Sequence, residues 1–343
     1  MSLLFSPITI KGLELKNRIM MAPMGTVAAL NDGILTDWHM VHYGARALGQ
    51  AGLIMLEATA VAEQGRDLHG NLGLWNDEQG AKLQALVKVL HQSSSKAGIQ
   101  LWHAGRKRKI AGAAVSASGI PYEGRATEAL SEQQAAETVA AFGDAARRAA
   151  AAGVDVIELH AAHGYLINDF LSRYTNKRED KYGGTRLRRY QLLREIIAEI
   201  RLGWKGPLFV RISADEYSAE GNNIEDAVYF AGLMKEQGVD LIDVSSGGVL
   251  PAKPHVYPGY QVPFAEQIKR EAGMATAAVG LITSGGQAEQ ILQDGRADLI
   301  AVGRPFLRDP FWPRTAAEQL GVKLAEPVPY KGYWFAKELV HES

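Results

Sequence analysis

The chain has 343 residues, 47% of them hydrophobic, with a formal charge of -1 and no cysteine. Near-neutral charge excludes a general affinity for nucleic acid or anionic membrane, and the missing thiols exclude disulfides, thiolate metal sites and cysteine nucleophiles. No apolar run approaches the ~20 residues that span a bilayer, and residues 1–17 hold no basic-then-apolar leader, so a cytoplasmic protein of one enlarged domain is expected.

Along the chain, short apolar runs rich in β-formers alternate with segments of helical periodicity. The runs fall at 19–23, 53–58, 99–103, 154–160, 207–212, 239–245, 276–282 and 297–303. Eight in succession, each followed by helix-like sequence, predict an α/β fold: a (β/α)8 TIM barrel occupying 1–343 as a single domain. After the third strand, 106–128 is rich in Gly, Ala and Ser and too long for a simple connection, so a small lid or hairpin insertion is expected there. The segment 189–202 places Leu192, Leu193, Ile196, Ile197 and Ile200 on one face, as a helix packed outside a barrel would. Segments 226–237 and 287–293 share that pattern and stop before Gly238 and Gly295. Residues 326–343 form a C-terminal extension.

Barrel chemistry gathers at the C-terminal ends of the strands, and the fourth predicted strand runs out into His160-Ala-Ala-His163-Gly-Tyr165. Two neutral imidazole N–H groups aimed at one carbonyl oxygen would polarise it, and a phenol that stays protonated at neutral pH could deliver a proton nearby. Two blander readings stand beside this one. The histidines can be structural, or the HxxH pair can be half of a metal site completed by His103, Asp215 or Glu57. Strand seven leads through Gly280 to a Gly-rich turn at 283–286, and strand eight ends at Gly303-Arg304. Such turns after strands seven and eight form the usual phosphate site of a barrel, although single Gly turns also serve only to reverse the chain. Arg211, inside an apolar strand, needs an anionic partner: a buried Asp or Glu, or the N1/O2 edge of a flavin. Gln100 and the backbone around Ala58 could satisfy the polar edge of the same ring.

Taken together, these segments resemble the Old Yellow Enzyme family of FMN-dependent ene-reductases. The likeness runs from Phe5-Ser6-Pro7 and Leu15-Lys16-Asn17-Arg18-Ile19 to Leu307-Arg308-Asp309-Pro310. Its most specific block is the run from His160 to Ser172, followed by Asn176-Lys177-Arg178 and Asp180-Lys181-Tyr182-Gly183-Gly184. The stretch from Leu101 to Lys107 and the HxxH pair are similar to the thermophilic-like bacterial branch, whose members are dimers or tetramers.

The resemblance implies FMN across the barrel mouth, with Pro23, Met24, Gly25, Ala58, Gln100 and Arg211 lining the ring. Gly248, Gly280, Gly303 and Arg304 would lie towards its phosphate. NADPH or NADH would reduce the flavin and give way to an electron-poor alkene held by His160 and His163, with Tyr165 as proton donor and Val27 and Lys107 on the substrate side. No metal is implied. Three departures from the branch pattern stand out. Gly25 and Val27 occupy positions where the branch carries a cysteine and a tyrosine, and the tail reads Tyr330-Lys331-Gly332-Tyr333-Trp334 in place of arginine-glycine-aromatic. Lys331 could supply a point charge but not a planar guanidinium fork, and packing of Tyr333 and Trp334 at an interface is the preferred reading of that tail. The departures keep other functions open: a specialised flavoenzyme for bulky substrates, desaturation or quinone reduction, a low-turnover flavin-binding protein, and, on the HxxH pair alone, a metal-dependent hydrolase.

Overall fold

The structure is a computed structural model that describes residues 2–252 and 254–334. The chain opens with an antiparallel pair, β1 (Ile8–Ile10) and β2 (Leu13–Leu15), that sequence patterning left unassigned because each arm is only three residues long. Ile10 and Leu15 are buried with Met20, Leu53, Met55, Val156, Phe209 and Leu241 from inside the barrel, so the pair caps the barrel floor. Burying one such aliphatic side chain stabilises by roughly 1.5–3 kcal/mol.

The barrel strands are β3 (Ile19–Met21), β4 (Leu53–Ala60) and β5 (Lys96–Trp102), followed after the insertion strands β6 (Ala114–Ser116) and β7 (Thr127–Ala129) by β8 (Val156–Ala161), β9 (Leu208–Ser213), β10 (Leu241–Ser245), β11 (Ala275–Ala278) and β12 (Leu299–Val302). Eight parallel strands close in the order β10-β11-β12-β3-β4-β5-β8-β9, as the eight apolar runs predict. The helix Gln191–Gly203 buries Leu192, Leu193, Ile196, Ile197 and Ile200, the face expected from its spacing. The helices Ile224–Glu236 and Gly285–Gln293 occupy the other two predicted segments.

The insertion differs from a hairpin. β6 and β7 pair in parallel, and the connection between them holds the isolated antiparallel bridge Tyr122↔Arg125. The reason lies in what holds the arms. The Arg178 guanidinium donates to Ala117 O and Leu130 O at 2.8 and 2.5 Å, and Asp169 Oδ2 accepts from Ala117 N at 2.6 Å. Buried Arg106 pairs with Asp169 at 3.2 Å and donates to Val249 O at 2.5 Å. Both arms are thereby fastened to the segment after β8. The family-specific run around Asn176 and Arg178 is scaffolding: Asn176 Nδ2 donates to Phe170 O and Tyr182 O, both at 2.7 Å.

Trp334 is buried on its own chain, stacked on Tyr330 at 5.5 Å, edge-on to Phe311 and under the Arg314 guanidinium. This corrects half of the interface reading of the tail: an indole has ample apolar surface for the helix Trp312–Gln319 beside it, and that is where it goes. Tyr333 is exposed, and the rest of the extension, 335–343, lies outside the described residues. Among the described residues no helix is long and apolar enough to cross a membrane.

Candidate active site

Side chains of a strand alternate between faces, so every second residue of β8, β9 and β10 points into the barrel. Read from floor to mouth, those residues are Val156, Glu158, His160, then Phe209, Arg211, Ser213, then Leu241, Asp243, Ser245. Register aligns them: His160 pairs with Arg211, Arg211 with Asp243, and Ser213 with Ser245. Glu158 in turn stands level with Phe209 and Leu241 above an apolar floor, His160, Arg211 and Asp243 share the next level, and Ser213 and Ser245 sit at the top.

Among the buried charged groups Arg211 Nε lies 3.4 Å from Asp243 Oδ2, and Gln100 Nε2 donates to Glu158 Oε1 at 2.7 Å. Burial raises the Glu158 carboxyl well above the usual range, reinforced by the nearby Asp243 charge and opposed by Arg211; burial also raises Asp243. Arg211 therefore has the buried acid partner that one sequence reading called for. Its side chain also lines the cavity above.

The histidine pair reaches from the level of Arg211 up to Ser213 and Ser245. Ala162 N–H donates to His160 Nδ1 at 3.2 Å, His160 Nε2 lies 3.4 Å from His163 Nδ1, and His163 Nε2 lies 2.7 Å from Ser245 Oγ. His163 has a left-handed backbone, φ 60°, held by its N–H bond to Ser213 Oγ at 2.9 Å. Gly248 packs here rather than on the cavity wall. A Cβ on it would meet His163 Cα at 2.6 Å, so its missing side chain admits the His163 turn. Burial lowers both imidazole pKa values, to about 3 for His163, and Arg211 and Lys107 add to this, so both rings are neutral at physiological pH.

The Tyr165 ring lies 4.8 Å from His160 and edge-on to Trp102 at 5.1 Å. Its hydroxyl has no hydrogen-bond partner among the described residues, and burial pushes its pKa up to about 12. Lys107 Nζ sits 5.3 Å from the Tyr165 ring centre and 5.2 Å from that of Tyr122, with no carboxylate at ion-pair distance among the described residues. Burial lowers its pKa to about 8.

Beside the pair opens a cavity of about 240 Å³ lined by Arg211, Ser245, Gln261, Gly280, Gly303 and Arg304, among others. It gathers three arginines, with Arg308 the third, and no acidic side chain. The side chains of Arg304 and Arg308 make no hydrogen bond or ion pair among the described residues. Such a cavity suits an anionic group, so the predicted phosphate turns are brought together with Arg211. Ala58 and Gln100 are register partners on the neighbouring strands.

Across the mouth, the segment after β3 carries Pro23, Met24, Gly25 and Val27. A Cβ on Gly25 would meet nothing within 4 Å. Val27 is 46% exposed with φ 54°, an uncommon backbone for a β-branched residue. Thr26 holds the turn: its N–H and hydroxyl donate to the buried Glu57 carboxylate at 2.8 and 2.6 Å. This commits Glu57 to the loop and not to a metal shell. Among the described residues no group of three or more His, Asp or Glu side chains is placed to hold a metal ion.

A family model described as the NADH:flavin oxidoreductase / NADH oxidase family matches residues 3–323. The chain belongs to that family. It is 56% identical over 330 residues to an NADPH dehydrogenase of Bacillus cytotoxicus, covering 95% of each protein. An NADPH dehydrogenase of Geobacillus sp. is 53% identical over 336 residues, 97% of this chain and 99% of that one. Among solved structures, morphinone reductase aligns with a TM-score of 0.81 at 28% identity, over 99% of this chain and 94% of its own. The old yellow enzyme homologue of Zymomonas mobilis aligns at 0.78 and 25% identity, over 97% and 96%. The chain is therefore a flavin-dependent NAD(P)H oxidoreductase of the Old Yellow Enzyme type.

Sequence reasoning missed Ser213, Ser245 and Gln261 around the histidines, and Thr26 as the partner of Glu57 beneath the opposite loop. For Ser213 and Ser245 a signal existed: each is the last inward position of its strand, two residues beyond a charged inward neighbour.

Proposed function

We propose that this oxidoreductase holds FMN, takes electrons from NADPH or NADH, and reduces the activated C=C bond of α,β-unsaturated carbonyl or related electron-poor compounds. The observation that carries this reading is the pair of neutral imidazole nitrogens, 3.4 Å apart, beside a phenol and an arginine-lined cavity. The residues suit the cofactor: Arg304 and Arg308, without an ion-pair partner among the described residues, would take its phosphate, Arg211 would meet the electron-rich edge of the ring, and the open space at Gly25 would leave room for its face. Bound flavin supplies two-electron hydride chemistry.

The protein does the rest. His160 and His163 donate hydrogen bonds to the carbonyl oxygen and stabilise the enolate-like charge that develops as the β-carbon receives hydride. Tyr165 O–H then delivers a proton to the α-carbon, completing addition of hydride and proton across the double bond. A phenol with a pKa of about 12 remains protonated throughout the physiological range. Lys107, a cation without a carboxylate partner, faces the incoming substrate together with Val27. The same reading carries the family's dimeric or tetrameric assembly and a cytoplasmic location.

Gly25 favours a second, narrower version: the space it leaves would admit bulkier alkenes or quinones.

Anaerobic titration tests the proposal. Yellow protein should bleach with NADPH and recolour with cyclohexenone, whereas colourless protein holding stoichiometric zinc would overturn it. Tyr165→Phe should slow recolouring and leave bleaching nearly unchanged.

A further inference from the structure

A carbonyl clamp needs two N–H groups pointing at one place, and His163 can present either of its nitrogens with a proton. His160 is fixed. Its Nδ1 accepts from Ala162 N–H, so the neutral ring holds its proton on Nε2. That proton points towards His163 Nδ1, 3.4 Å away.

Two hydrogen-bond patterns satisfy the remaining atoms. In the first, a relay, His160 Nε2–H donates to His163 Nδ1, His163 Nε2–H donates to Ser245 Oγ at 2.7 Å, and Ser245 O–H is directed to Gln261 Oε1 at 3.4 Å. Every imidazole proton is then consumed within the protein. In the second, Ser245 O–H donates to His163 Nε2, so that His163 holds its proton on Nδ1. The two N–H groups now converge on the space between Nε2 of one ring and Nδ1 of the other. Without a ligand this arrangement sets two protons against each other, and the relay wins. An oxygen acceptor between the rings reverses the preference, because it accepts from both.

The surroundings make the change inexpensive. Gln261 Oε1 already accepts from Ser246 Oγ at 2.5 Å and keeps that donor when Ser245 turns away. The His163 ring proton leaves Nε2 to water while Nδ1 gains one from water, so the charge of the site is unchanged.

We propose that Ser245 is a positioning residue that sets the tautomer of His163, and that entry of a ligand oxygen switches the pair from a relay to a double donor. This rests on the reading of His160 and His163 as an oxygen clamp.

The experiment is nitrogen NMR of flavin-loaded protein labelled with ¹⁵N-histidine, the His163 signals being assigned with His163→Asn. The probe is 4-chlorophenol, an oxygen ligand with no activated alkene. The free protein should show His163 protonated on Nε2, and the saturated protein should show it protonated on Nδ1. Ser245→Ala should abolish that exchange and weaken the probe about tenfold, the loss of one hydrogen bond. Ser245→Thr, which keeps the hydroxyl, should restore both. If the probe shifts His160 while His163 stays protonated on Nε2, the switch is wrong and the clamp stands. If Ser245→Ala exchanges tautomer as the parent does, Ser245 has no such role. If saturating probe moves neither ring, the clamp itself falls and the switch with it.

Discussion

Two turns face each other across the barrel mouth, and each carries a non-glycine residue with a left-handed backbone. After β8 it is His163, φ 60°, and after β3 it is Val27, φ 54°. Such conformations cost of order 1–3 kcal/mol unless the surroundings impose them. His163 is imposed on every side: its N–H is bonded to Ser213, both ring nitrogens have partners, and Gly248 leaves room for its backbone. Val27 is exposed and is held mainly through its neighbour Thr26 on Glu57. One turn spends its strain on aiming a ring. The other lies where the sequence departs from the thermophilic-like branch, and its strain orients a side chain that can form no hydrogen bond.

The clamp side should dominate the chemistry. Tyr165→Phe removes the proposed proton donor and should lower the rate of alkene reduction ~10²- to 10⁴-fold, the usual worth of general acid catalysis. Single-turnover oxidation of reduced enzyme by cyclohexenone measures this directly. An equal loss in the NADPH half-reaction would mean that the phenol acts through the site's architecture and not as an acid.

The same side should make folding acid-sensitive. His163 has its pKa lowered to about 3 by burial, whereas the unfolded chain takes up the proton near 6.5. The unfolded state therefore binds more protons between these values, so this stability is complete above pH 6.5 and is lost as pH falls towards 3. Its full size is on the order of 5 kcal/mol. His39, His42 and His103, each lowered to about 4, act in the same direction. Glu216, raised by burial to about 7, acts oppositely, adding stability at low pH that is lost as pH rises through 7. The His163 contribution is isolated by comparing denaturant unfolding of the parent with His163→Asn, since Asn tolerates the same backbone. The variant should show the shallower decline between pH 6.5 and 4; parallel curves would contradict a neutral buried ring.

How much of this was legible in the sequence follows from the same contrast. The eight strands are continuous apolar runs because a parallel barrel buries both faces, and that signal survives in a single sequence. The histidines and Tyr165 stand at a strand end, where position alone suggests chemistry. The β1–β2 pair was hidden by its length, and the parallel pairing of β6 and β7 by fasteners more than forty residues away, at Asp169 and Arg178. Ser245 was hidden differently: a serine has many uses, and only the fold brings it to His163, 82 residues earlier. Glu57 offered a metal-site reading until the Thr26 turn supplied its partners.

On the loop side, Val27→Asn should relieve strain, because Asn enters the left-handed region more readily than a β-branched residue. Unfolding free energy should rise by about 1 kcal/mol. No gain would show that Val27 recovers its strain through contacts made by its side chain.

The smallest change in stability belongs to Gly25→Cys. The added Cβ meets nothing within 4 Å and the backbone there is not left-handed, so folding should shift by no more than ~0.5 kcal/mol. That neutrality makes the substitution a clean probe of the loop's chemical influence. On the proposed placement of the flavin, a thiol introduced at this position would stand beside its ring. The midpoint potential of the bound flavin and its rate of reduction by NADPH should both change, while the response of the clamp to 4-chlorophenol should stay the same. If potential and rate match those of the parent, the loop across the mouth has no hold on the flavin, and the clamp side alone sets the reactivity of this enzyme.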